Sequence, residues 1–247
     1  MTFLRLLRSD WLKMKRTPLR RAIFIAPAGY ALLLLWYFSS FRVTPELQQK
    51  LYGAFFEGWT SFLPLAVGAI TGLIALQEEQ AGRFSAVLGL PTSRAFIYAN
   101  KLVMLIVIHA GCALFSVTIL VLGIMCGLYL ENTNVNLFYK GVLLTVSGSL
   151  PLLALHLWLG FAFGIGASVG VGGAGFLMAA IVGATSVGDS LWPVVPWAWP
   201  VRLAMSAMDT DTIVLAKGLL PALLLFAVLF FFGTMWFHRW EGRKQDE

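Results

Sequence analysis

Six long apolar stretches, separated by short polar segments, dominate this 247-residue sequence. A bilayer core gives backbone amides no partner, so an apolar run of about 20 residues must satisfy its own hydrogen bonds as a helix. The expected spans are 22–41, 59–76, 102–130, 141–165, 172–188 and 218–237. The fold class that follows is all-α: a polytopic membrane protein with six transmembrane helices, an N-terminal amphipathic interfacial helix over 1–21 and a short cytoplasmic helix within 77–101. Spans four and five are divided in a stretch that is apolar throughout, Gly164 to Gly175. Six glycines there predict a turn, because one uninterrupted helix would overrun a bilayer about 30 Å thick.

Composition removes the soluble alternatives. The chain is 59% hydrophobic and 12% charged, with a mean hydropathy of +0.80. Soluble domains carry roughly twice that charged fraction. Too few residues lie outside the spans to build an ATPase, a protease domain or a nucleic-acid module. The pI near 9.5 follows from where the bases sit rather than from nucleic-acid binding. With both termini inside, 13 of the 18 Lys and Arg residues fall on cytoplasmic segments, while the 12 acids divide evenly between the two sides. That is the positive-inside pattern. Cys112 and Cys126 share one apolar stretch and would be about 21 Å apart on one helix, too far to bridge, so they read as packing residues.

Residues Met1 to Arg21 are basic and amphipathic, with no small-residue cleavage site, and so do not read as a cleaved signal peptide. Phe3, Leu4, Leu7, Trp11 and Met14 form one helical stripe, with Arg8, Lys13, Lys15 and Arg16 mostly elsewhere. That suits a helix lying on the inner leaflet with its bases near anionic lipid headgroups. An ordinary basic flank would not need the stripe. Small residues at helical spacing, Gly68 and Gly72, Gly123 and Gly127, and Gly160, Gly164 and Ser168, permit close backbone approach in lipid.

The segment 77–101 carries the sharpest motifs. Gln77-Glu78-Glu79-Gln80-Ala81-Gly82-Arg83 is followed by Leu88-Gly89-Leu90-Pro91-Thr92-Ser93-Arg94 and then Asn100-Lys101. About 25 residues is long for a turn between antiparallel helices. Phe84, Val87 and Leu88 make a short apolar face, and Pro-Thr-Ser is a helix-start signal. The expectation is a short surface helix offered to a partner; a solvated loop after a helix end is the plainer reading. Glu78-Glu79-x-x-x-Arg83 also matches the first motif of an intramembrane metalloprotease family. That chemistry needs histidines spaced to hold a metal beside the glutamates, and neither His109, His156 nor His238 has the required neighbours.

His109 and His156 are the ionisable side chains deep in the spans. Intramembrane polar groups default to a functional reading, although a neutral imidazole can simply bond a neighbouring helix. With no acid or base mid-span, an ion-coupled carrier is disfavoured and energy must come from elsewhere. The outer segment 189–217 contains Trp192, Trp197 and Trp199 among three prolines. It reads as an aromatic anchor at headgroup level or as an outer gate for an amphipathic substrate. A lipid-modifying transferase would demand more converging polar groups than the spans hold, and a non-transporting anchor is the remaining class.

Together these motifs resemble a type-2 ABC exporter permease, and more narrowly the permeases of lantibiotic-immunity transporters. The resemblance rests on the basic opening Ser9-Asp10-Trp11-Leu12-Lys13-Met14-Lys15-Arg16-Thr17-Pro18 and on Glu78-Glu79-x-x-Gly82-Arg83 with Leu90-Pro91-Thr92-Ser93-Arg94 and Asn100-Lys101. It extends to Leu155-His156-Leu157-Trp158-Leu159-Gly160-Phe161-x-Phe163-Gly164 and Pro196-Trp197-Ala198-Trp199-Pro200. Bacitracin and other antibiotic-efflux permeases share these patterns. The resemblance implies a six-span half-transporter that pairs with itself or a sister permease and docks a separate ABC ATPase. ATP and Mg would sit on that ATPase, with no cofactor on this chain; its lack of a Gly-x-x-x-x-Gly-Lys-Ser/Thr loop agrees. Glu78, Glu79, Gly82, Arg83, Phe84, Leu88, Pro91 and Arg94 would transmit ATPase closure. His109, His156, Trp192, Trp197 and Trp199 would face substrate or form the outer gate. No catalytic or metal-binding residue is implied. The cargo would be an amphipathic peptide, and the location a bacterial cytoplasmic membrane.

Overall fold

The computed structural model describes residues 3–42, 44, 46–82, 84–128, 133–208 and 212–243; Arg83 lies outside them. Helices α1 (Phe3–Lys13), α2 (Pro18–Phe38), α3 (Leu47–Gln80), α4 (Ser85–Leu88), α5 (Arg94–Gly123), α6 (Val135–Phe163), α7 (Ile165–Met178), α8 (Trp199–Met205) and α9 (Thr212–Arg239) follow in chain order. No strand occurs among the described residues, and six helices are long and apolar enough to cross a membrane. The all-α, six-span expectation is what the fold shows.

Several boundaries differ from the hydropathy reading, each for a physical reason. Helix α3 has 34 residues, about 51 Å at the usual rise. It therefore extends beyond 59–76 at both ends, carrying Gln48, Gln49 and Lys50 at one and Glu78 and Glu79 at the other. Helix α5 starts at Arg94 rather than near 102, because the Ser93 hydroxyl accepts the Phe96 N–H at 3.3 Å and caps the first turn. The break between spans four and five is a single residue. Gly164, at φ +91°, adopts a conformation open to glycine, and α7 begins at once. The other glycines of that stretch continue the helix, since a loop in hydrocarbon would strand backbone groups.

Helix α6 forms the centre of the bundle, against α3, α5, α7, α8 and α9. Helix α3 packs most extensively on α7 and α6, whereas α2 lies on α5 and touches α3 much less. Close backbone approach holds α3 to α7: a Cβ placed on Gly172 would come within 2.7 Å of the Pro64 carbonyl oxygen, and one on Gly68 within 2.5 Å of the Ser168 oxygen. Gly172→Val is expected to destabilise the protein by about 1–3 kcal/mol through overpacking, read as a lowered unfolding midpoint in detergent. Helix α2 is fixed to α5 at its proline. Pro27 has no N–H, so the Ile23 carbonyl loses its helical donor, and the Cys112 thiol lies 3.5 Å from it. The Ser116 hydroxyl donates to Pro27 O at 2.8 Å.

Candidate functional site

Helix α1 and the segment following α9 lie at one end of the bundle, where a cluster of ion pairs forms. Helix α1 turns Leu6 and Asp10 inward, with Met14 buried just beyond it, so the buried stripe takes in an acid, while Leu4 and Leu12 stay exposed. Asp10 meets Lys101 at 3.5 Å and accepts from the Asn100 amide at 3.2 Å. Lys101 donates to Glu78 at 2.7 Å, and Lys13 donates to the same carboxylate at 2.8 Å. The Lys101 and Glu78 side chains are 2% and 4% exposed. A charge buried like this is tolerated only when paired and hydrogen-bonded; two acids and two bases here sum to zero. The cluster ties α1, the last turn of α3 and the first turns of α5 into one unit.

A second set of contacts secures the C-terminal segment over the connection between α3 and α5. Glu79 pairs with Arg243. The Arg243 guanidinium also sits 5.5 Å over the Phe84 ring and beside Gly164, where any side chain would collide with it. Arg94 donates to the Trp240 carbonyl at 2.7 Å. Trp240 packs edge-on against Phe84 at 4.8 Å and Phe161 at 5.6 Å.

These contacts account for the conformation of Phe84. Its φ of +68° is uncommon for a bulky side chain, and such strain persists only where surroundings over-determine it. The ring is 1% exposed, held by Trp240, Phe161 and Arg243. Phe84 and Val87 are therefore core residues, not an apolar face on offer, and the helix is only Ser85–Leu88. Leu88 is half-buried, whereas Gly82, Ser85, Gly89 and Pro91 form the exposed edge. Of the residues predicted for this segment, Glu78, Glu79, Phe84 and Arg94 are brought together with Trp240 and Arg243, and Gly82 and Pro91 remain outside. Sequence reasoning quoted Asp10, Lys13, Asn100 and Lys101 in its motifs without assigning them a site role, and missed Trp240 and Arg243.

The two histidines have different surroundings. His156 Nδ1 lies 3.2 Å from the Ser168 hydroxyl, which donates to Gly68 O at 2.9 Å and is 3.0 Å from Thr71 Oγ1. It joins a polar knot linking α3, α6 and α7. His109 Nε2 lies 2.9 Å from Ser149 Oγ on α6, and the ring also lines a cavity of about 670 Å³ between α2, α3 and α5. Neither histidine approaches the Glu78–Glu79 pair, whose carboxylates are taken up by lysine and arginine. Among the described residues, no three His, Cys, Asp or Glu side chains come together to hold a metal ion.

At the opposite end, the tryptophan segment folds inward. Trp192 and Trp199 are 6% and 4% exposed and belong to the core. The Trp199 indole N–H donates to Pro193 O at 3.0 Å, and Trp197 lies against Gly175 of α7. Pro200 stands in the first turn of α8, where its missing N–H is harmless. In its first half the segment exposes Asp189, Ser190, Leu191 and Val194.

The fold and the clustered end together define a six-span membrane subunit whose polar contacts gather around one inter-helix connection. The chain belongs to the ABC-2 family of transporter proteins, whose profile matches residues 6–169, from α1 into α7. Members of this family are membrane components of ABC transporters. No curated protein and no solved structure matches the chain.

Proposed function

We propose that this chain is the permease subunit of an ATP-driven ABC exporter in a bacterial cytoplasmic membrane, with both termini inside. Its cargo is an amphipathic antimicrobial peptide, expelled as self-protection against a lantibiotic. It works with a separate ABC ATPase, which carries ATP and Mg, and with a second permease, identical or sister. Family membership supports the transport role.

The observation that carries the coupling reading is the convergence on the α3–α5 connection. Its exposed edge, Gly82, Ser85, Gly89 and Pro91, is the surface for the ATPase. Its inner side chains, Phe84 and Val87, are seated in the core, so a push on the edge moves the packed elements with it. Glu78 passes displacement to α1 and α5, Glu79 to the C-terminal segment through Arg243, and Arg94, the first residue of α5, to the same segment through Trp240. Exposed Arg5, Arg8 and Lys15 on and beyond α1 hold the inner leaflet's anionic headgroups. Beyond the core-packed Trp192 and Trp199, the exposed Leu191 and Val194 form the outer gate.

The test is co-purification with an ABC ATPase and measurement of peptide-stimulated ATP turnover in liposomes. Pro91 is exposed. Pro91→Trp is expected to abolish stimulation while leaving membrane insertion and the unfolding midpoint intact. Retained stimulation in that variant, or peptide export by the chain without any ATPase, would sink the reading.

A further inference from the structure

The cavity of about 670 Å³ beside His109 has a definite origin. Helix α2 is anchored along α5 through Ile23 and Pro27. It reaches α3 near Tyr30, whose hydroxyl donates to Ala54 and Phe55 carbonyls at 3.1 and 2.9 Å. From Tyr30 toward Leu19 the two helices part, over roughly 16 Å of helix rise. The result is a wedge with α2 and α3 as walls and α5 as floor. Exposed apolar residues, Phe24 and Ile25 on α2 and Phe62 on α3, stand beside it.

Close-packed interiors hold few voids larger than a water molecule, and this volume lies in the range of ligand sites. The walls are mostly apolar; the lining residues with polar side-chain atoms are Tyr30, Trp59, Ser61, His109 and Cys112. His109 is 9% exposed and lines the wedge; its Nε2 is engaged by Ser149, the one hydrogen bond its ring makes among the described residues. Whichever ring nitrogen carries the proton, Nδ1 has a bond to give or to accept. Trp59, on the α3 wall, has an indole N–H without a partner among the described residues, but that atom is closed off from the wedge and is not offered to an occupant. Unmatched polar atoms at membrane depth cost free energy until something meets them.

We infer that the wedge is a binding site for a membrane lipid with a long aliphatic body and a hydroxyl group, the hydroxyl bonding His109 Nδ1. Lipid is the occupant because the wedge lies within the apolar length of the spans, where the bilayer is the solvent. An aliphatic chain matches the walls, and a hydroxyl can donate or accept, so it suits either imidazole tautomer. The inference stands apart from the transport reading, since occupancy requires neither ATPase nor cargo.

The test uses the full chain in phospholipid nanodiscs with two photoreactive probes, a diazirine-bearing octadecanol and the corresponding octadecane. The alcohol is expected to label α2 and α3 residues of the wedge saturably. Unlabelled octadecanol should compete better than octadecane by roughly two- to tenfold, the worth of one hydrogen bond. His109→Leu removes that preference and keeps labelling by both probes. Ala66→Phe, which fills the wedge from α3, removes labelling by both, and thermal unfolding confirms that each variant is folded. Equal competition by alcohol and alkane in the native protein overturns the hydroxyl assignment. Non-saturable labelling, or labelling unchanged by Ala66→Phe, overturns the site. Displacement by a cationic amphipathic peptide but not by octadecanol overturns the lipid as occupant.

Discussion

Lys101→Met is expected to lower the unfolding midpoint of the detergent-solubilised protein by on the order of 10 °C. The native ammonium is 2% exposed and meets Glu78 at 2.7 Å and Asp10 at 3.5 Å. Its removal leaves two buried carboxylates sharing Lys13, whose side chain is 44% exposed and partly committed to water. Breaking a buried ion pair from one side costs about 3–5 kcal/mol, mostly through the uncompensated charge, whereas neutralising both partners often costs little. The double variant Lys101→Met with Glu78→Gln is therefore expected to recover much of the loss. A midpoint unmoved by the single change, or a double variant as weak as the sum of the singles, would show that the cluster contributes little to stability.

Trp240→Ala should act at the neighbouring contact and with a similar size. The indole is 9% exposed and touches Phe84, Phe161, Phe237 and Trp236, with ring centroids 4.8–5.6 Å apart. Truncating a buried tryptophan costs about 3–5 kcal/mol through lost transfer energy and the cavity left behind. The effect has a local signature as well. Phe84 keeps its left-handed backbone only while its ring is confined, so amides of Phe84–Gly89 should exchange with solvent faster in the variant, while those of central α6 change little. Uniform acceleration across the bundle would instead mean that Trp240 supports the whole fold and not this connection in particular.

The spans were legible because hydrocarbon enforces a blunt rule on any sequence that crosses it. The ends were not, because Gln48, Gln49 and Lys50 continue α3 with side chains that hydropathy scores as loop. Glycine carries a similar ambiguity: Gly166, Gly170 and Gly173 have open space around them and lie on a helix, and Gly164 alone makes the break. At the polar end, the Glu78-Glu79 pair was visible as a motif. Its partners are 65 and 23 residues away for Lys13 and Lys101, and 164 for Arg243, separations that local periodicity cannot register. Phe84 and the tryptophans were misplaced for a common reason. Aromatic side chains suit interfaces and cores equally well by composition, and contacts with residues such as Trp240 and Gly175 decide between them.

Neighbouring carboxylates on the last turn of α3 hold opposite extremities of the polypeptide, Glu78 through Lys13 and Glu79 through Arg243. The chain is thus knotted back to a single point, much as a purse is drawn by two strings through one ring. A pull on α1 or on the segment after α9 will therefore load that same point.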